Sequence, residues 1–188
     1  MSAASLRVLE QQLMKEERRV LKLKATRPAR ELSQTRQELI TIYRELVQSG
    51  DLVLIIRAEK MIMEGDQLRY SNSPAMNNSL KAGIAELNAV LAHVDLVTDF
   101  AKYRLVDCAH SLPKRRDERG RPLDEAREAL NSHITRLSNL DRSRLDEDEK
   151  AFVELRKGAI RRARDLYIEL QEKALGEVGF RVPTPALS

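Results

Sequence analysis

A heptad stripe runs through the middle of this chain, from Leu80 to Leu112. Leu80, Ile84, Leu87, Leu91, Val94, Thr98, Ala101, Leu105, Cys108 and Leu112 recur at alternating steps of four and three, with no proline inside and Gly83 as the one glycine. That spacing returns a side chain to one helical face every half heptad. A helix of that length spans roughly 50 Å, more than a small domain is wide. The pattern predicts a long helix over about 74–112 that organises other helices, or another chain, along its apolar side.

Composition supports an all-α fold around that rod. Aromatics are 4% of 188 residues, glycine and proline number 7 and 6, and charged residues make up 33%. Strong helix formers dominate, and the β-branched residues and turns of a sandwich or barrel are lacking. The expected architecture is an elongated bundle of five or six helices in one domain, 1–176, followed by an irregular tail, 177–188.

The flanking segments carry their own start and stop signals. Helix 1 is expected over 3–24, with Leu6, Leu9, Leu13 and Val20 on one face and Glu16 in the missing heptad position. Pro28 separates it from helix 2, to about Ser49, which steps through Leu32, Thr35, Leu39, Ile42 and Leu46 before Gly50. A turn this short predicts an antiparallel hairpin over 1–50. Residues 51–70 read as a helix capped by Asp51, with Leu52, Ile55, Ile56, Ile62 and Met63 inward, or as a β-hairpin; periodicity alone does not separate these. The helix is preferred, because 57–60 make a poor tight turn.

Beyond the rod, Pro113 and Pro122 bracket a charged loop. A C-terminal hairpin follows. Helix 5, about 122–140, turns Leu123, Ala126, Leu130, Ile134 and Leu137 inward. Helix 6, about 143–175, opens on Ser143 and Asp146 at capping-box spacing.

Catalytic signatures are lacking. His93, His110 and His133 stand far apart, with no paired ligand motif for zinc or a di-iron centre. Cys108, the one cysteine, lies on the heptad stripe and reads as a small core residue rather than a nucleophile. Glycine-rich phosphate loops are missing too. No catalytic residue, cofactor or metal is expected. With a single cysteine, no signal-peptide core and no long apolar run, the expected location is cytoplasmic.

Charge is more informative by place than by its net value of +4. Three segments are basic: 15–36 at net +5, 113–122 at net +3 and 150–164 at net +5. Lys157, Arg161 and Arg164 fall within about 60° on a helical wheel, opposite Leu155, Ala159, Leu166 and Leu170. Such a stripe can follow phosphates, or can be a solvated face. The candidate nucleic-acid contacts are Lys157, Arg161 and Arg164, with Lys15, Arg18, Arg19 and Lys22 on helix 1 and Lys114, Arg115, Arg116, Arg119 and Arg121 in the loop. Scattered aromatics and the lack of any base-reading motif favour backbone contact over sequence reading.

The functional expectation is a non-enzymatic, prokaryotic accessory subunit. It would contact nucleic-acid backbone and dock on partner proteins, similar in kind of architecture to small helical subunits of nucleoprotein effector complexes. A monomer or hetero-complex subunit is favoured over a homodimer. The alternative is a helical adaptor, chaperone or scaffold that binds no nucleic acid. Gly83 and Gly158, each inside a helix, suggest close helix–helix approach.

Overall fold

A computed structural model describes the backbone of residues 2–26, 29–70, 72–103 and 115–177. Six helices and one two-stranded ribbon occur among these residues: α1 Ala3–Thr26, α2 Ala29–Ser49, α3 Leu52–Arg69, α4 Pro74–Tyr103, β1 Arg115–Arg116, β2 Pro122–Leu123, α5 Glu125–Ser138 and α6 Glu147–Glu177. The fold is an all-α bundle. No helix among the described residues is long and apolar enough to cross a membrane.

The local signals act as chemistry requires. Leu9, Leu13, Glu16, Val20 and Leu23 form the buried row of α1, so a carboxylate does occupy the missing heptad position. Thr35, Leu39, Ile42 and Leu46 form that of α2. Gly50 follows α2 at φ +66°, a backbone conformation that a Cβ disfavours. Asp51 caps α3 by accepting the Leu54 N–H at 3.0 Å.

Residues 51–70 are helical and not a hairpin. Leu54, Ile55 and Ile56 are all buried, as are Met61, Ile62 and Met63. Burial of consecutive residues surrounds the helix, which erases the periodicity of an amphipathic one. The reason is its position: α3 packs against α1, α2, α4 and α6. The rod shares the centre with it, packing on α3, α5 and α6.

Along α4 the heptad face holds for its first half. Leu87 and Val94 are buried and Leu80, Ile84 and Leu91 partly buried, but Thr98 is exposed. Gly83, Val90 and Val97 take up the contact instead. With Leu87 and Val94 they still step by four and three, so the buried row is a heptad whose second position falls one residue before Ile84, Leu91 and Thr98. Leu105, Cys108, Leu112 and the expected helical stretch beyond Tyr103 lie outside the described residues.

Three starts differ from the sequence reading, and α6 runs through Gly176 to Glu177, past its expected end at about 175. The segment after Pro113 is not only a loop: β1 and β2 pair antiparallel, Arg115 with Leu123 and Arg116 with Pro122. Helix 5 starts at Glu125 rather than 122, because Asp124 is its cap and accepts the Arg127 N–H. Helix 6 starts at Glu147 because Asp146, not Ser143, receives the Glu149 N–H at 2.8 Å. Ser143 instead bonds Asp141 through both its N–H and its hydroxyl.

The glycines divide. A Cβ built on Gly83 would lie 2.3 Å from Met63 Cε and 3.0 Å from Arg136 Nη1, a close approach of α3 and α5 to α4. Gly158 has nothing within 4 Å of such a Cβ, so close packing does not explain it.

Candidate nucleic-acid interface

The ribbon brings a run of charged residues into a fixed turn. Asp117 is its organising group. Its Oδ1 accepts the N–H groups of Arg119 and Arg121, each at 2.9 Å, while its Oδ2 accepts from Arg121 Nε at 2.9 Å and Arg127 Nη2 at 2.8 Å. Gly120 turns the chain at φ +75° and donates its N–H to the Asp117 carbonyl. Burial opposes ionisation of Asp117, but these hydrogen bonds, led by that from Arg127, outweigh it and hold the carboxyl well below its ordinary range. Arg127 is buried and also donates to the Pro122 carbonyl, which ties the ribbon to α5.

Helix α6 closes the other side. Asp124 accepts from the Tyr167 hydroxyl and from Gln171 Nε2 through its free oxygen. The same carboxylate therefore caps α5 and anchors α6. Arg164 reaches across to Asn131 Oδ1 on α5 at 2.9 Å.

A cleft of about 630 Å³ lies between ribbon, α5 and α6. Arg116, Arg119, Arg121, Arg127 and Arg164 line it, against Asp117, Glu118 and Asp165. Five guanidinium groups over three carboxylates leave the cleft net positive. Two of the three basic segments, far apart in sequence, thus meet in one recess.

The remaining predicted cations are placed elsewhere. Arg115 is exposed and pairs with Glu128 at 2.6 Å. Lys114 lies outside the described residues. Lys157 shares Glu154 with Arg142, and Arg161 is exposed. Neither Lys157 nor Arg161 lines the cleft. Their stripe flanks the buried face of α6 rather than opposing it, since Val153, Ile160 and Ile168 beside it are buried while Leu155, Leu166 and Leu170 are only partly so. Helix α1 packs on α2 and α3, away from the cleft. There Lys15, Arg18 and Lys22 are exposed, and Arg19 pairs with Glu16 and Glu38.

Sequence reasoning missed a second polar assembly. Glu59, His133 and Arg156 meet fully within the core. Arg156 belongs to the basic segment 150–164, where its spacing does not set it apart from the cations around it. The one available signal was Glu59 itself, a carboxylate inside the most apolar stretch of the chain. No metal-ligand cluster of histidine, cysteine or acidic residues occurs among the described residues.

No protein-family model matches the chain, and neither a curated protein nor a solved structure matches it.

Proposed function

We propose that this chain is a non-enzymatic, cytoplasmic accessory subunit that contacts nucleic-acid backbone and docks on partner proteins, as a monomer or within a hetero-complex. The observation that carries the reading is the meeting of Arg116, Arg119 and Arg121 with Arg164 in one net-positive cleft. Folding of α6 requires only its apolar face, so packing alone does not explain why cations of two segments converge. Guanidinium groups suit phosphate because their planar fork of N–H donors matches its oxygens.

Binding of single- and double-stranded DNA and RNA, measured across a salt series, tests the reading. The expected result is binding that weakens as salt rises, with little dependence on sequence. Absence of binding at low salt would overturn it.

A second reading, a helical adaptor without nucleic acid, draws on α1. Val8 and Leu21 are 52% and 63% exposed there, and the α1 cations alternate with Glu10, Glu16 and Glu17. Apolar side chains among mixed charge suit a protein partner better than a phosphate backbone. Retention of a partner protein by a chain that binds no nucleic acid would favour this reading.

A further inference from the structure

The arginines of the cleft are not equivalent. Arg121 and Arg127 are held by Asp117 and serve the ribbon's own structure. Arg119 is exposed on the turn, and its guanidinium forms no ion pair among the described residues. Arg116 uses Nη1 on the Gly120 carbonyl at 3.4 Å. Arg164 commits Nη1 to Asn131, and its Nε lies 3.9 Å from Asp165. The Nη2 groups of Arg116 and Arg164 have no hydrogen-bond partner among the described residues. Three guanidinium groups with donors to spare therefore face one recess, from a ribbon that Asp117 has already ordered.

Size and lining narrow the ligand. A recess of about 630 Å³ falls in the range of roughly 300–1,000 Å³ that suits a small ligand. That fits a short segment of one strand or a nucleotide-sized molecule better than a duplex. No aromatic ring is among the residues lining it, so it offers no stacking platform for a base.

We propose that this cleft is a phosphate-group site for a single strand or a nucleotide-sized phosphorylated ligand, with Arg116, Arg119 and Arg164 as donors and Asp117 as the residue that orders the turn carrying Arg119. The inference rests on the nucleic-acid reading for the strand as source, and on geometry alone for the phosphate. Ordering of the turn before binding lowers the entropy lost on association.

The test compares the wild-type chain with the double variant Arg119→Glu, Arg164→Glu and with a double variant on α1, Lys15→Glu, Arg18→Glu. Affinities for a fluorescent single-stranded oligonucleotide, its duplex and inorganic tripolyphosphate are measured, and melting by circular dichroism reports folding. The expected result is single strand preferred over duplex and displaced by tripolyphosphate. The cleft variant should bind at least about tenfold more weakly, with a salt slope shallower by about 2. The α1 variant should stay within about twofold of wild type, and an equal loss in the two double variants would overturn the cleft as the site. If the cleft variant fails to fold, Arg119→Ala on the exposed turn should still weaken binding severalfold. Oligonucleotide binding untouched by the cleft substitutions would overturn the site and leave the nucleic-acid reading standing. Tripolyphosphate binding without oligonucleotide binding would keep the site, assign it to a small phosphorylated ligand and overturn the nucleic-acid reading. Binding of neither would overturn both.

Discussion

Arg156 of α6 holds Glu59 of α3 with two nitrogens, Nη2 at 2.6 Å and Nε at 3.0 Å from Oε1, across 97 residues of sequence. Both side chains are buried. His133 of α5 lies 2.8 Å from the same carboxylate through Nε2. Its Nδ1 faces Arg136 Nη1 at 3.1 Å. A guanidinium can only donate, so Nδ1 accepts and the ring's proton sits on Nε2, where it is donated to Glu59. Arg136 continues to Glu86 on α4 at 3.0 Å. One polar chain therefore links α3, α4, α5 and α6.

Removing one member of the Glu59–Arg156 pair should cost much more than removing both. Burial opposes ionisation of Glu59, but the Arg156 charge and the His133 hydrogen bond outweigh it and hold the carboxyl well below its ordinary range. A group depressed in this way contributes stability above its unfolded pKa, which is lost as pH falls through the folded value. Glu59→Ala or Arg156→Ala should each cost about 3–5 kcal/mol by leaving a buried charge alone, whereas Glu59→Leu with Arg156→Met should cost far less. Urea denaturation of the three variants at neutral pH checks this; equal losses in single and double variants would contradict it.

The two helical glycines should respond in opposite senses. Gly158→Ala meets open space and should stabilise by up to about 1 kcal/mol through helix propensity. Gly83→Ala gains the same propensity but drives its methyl into Met63, which is itself buried. Overpacking costs about 1–3 kcal/mol, so the net effect should be neutral to destabilising. Melting temperatures of the two variants give the comparison.

Stability should also fall as pH rises from about 4.5 to 7, the ordinary and folded values for Glu16. Burial, with Glu38 beside it, raises its pKa to about 7, so the folded state binds the proton more tightly. The resulting stability is complete below the unfolded pKa and lost as pH rises through the folded one. Glu16→Gln should flatten that part of the profile and stabilise the protein at pH 8 by roughly 1–2 kcal/mol, a value reduced by solvent screening at half-exposed Arg19 and Glu38. Denaturation midpoints for both chains at several pH values test the sign.

Leu87 should matter more than Leu91 on the rod. Both belong to the heptad stripe, but Leu87 is fully buried and Leu91 partly. Leu87→Ala should cost about 2–5 kcal/mol, with a smaller loss for Leu91→Ala. Chemical denaturation of the pair would expose an error if Leu91 proved the costlier.

Whatever depends on one helix and its neighbours in the chain is legible in the residues alone. The apolar rows of α1, α2 and the first half of α4, the Asp51 cap and the glycine stop at Gly50 are all set by local backbone geometry and a 3.6-residue period. Which polar groups go inside and which cations meet follows from how the helices pack together. Arg156 and Arg161 look alike in a basic run; one is buried against Glu59 and the other exposed, because α3 lies against the first and not the second. Arg119 and Arg164 share the cleft only because the ribbon folds beside α5 and α6. Periodicity reports a helix's average environment, whereas such pairings depend on how separate helices assemble, and that is fixed by contacts distant in sequence.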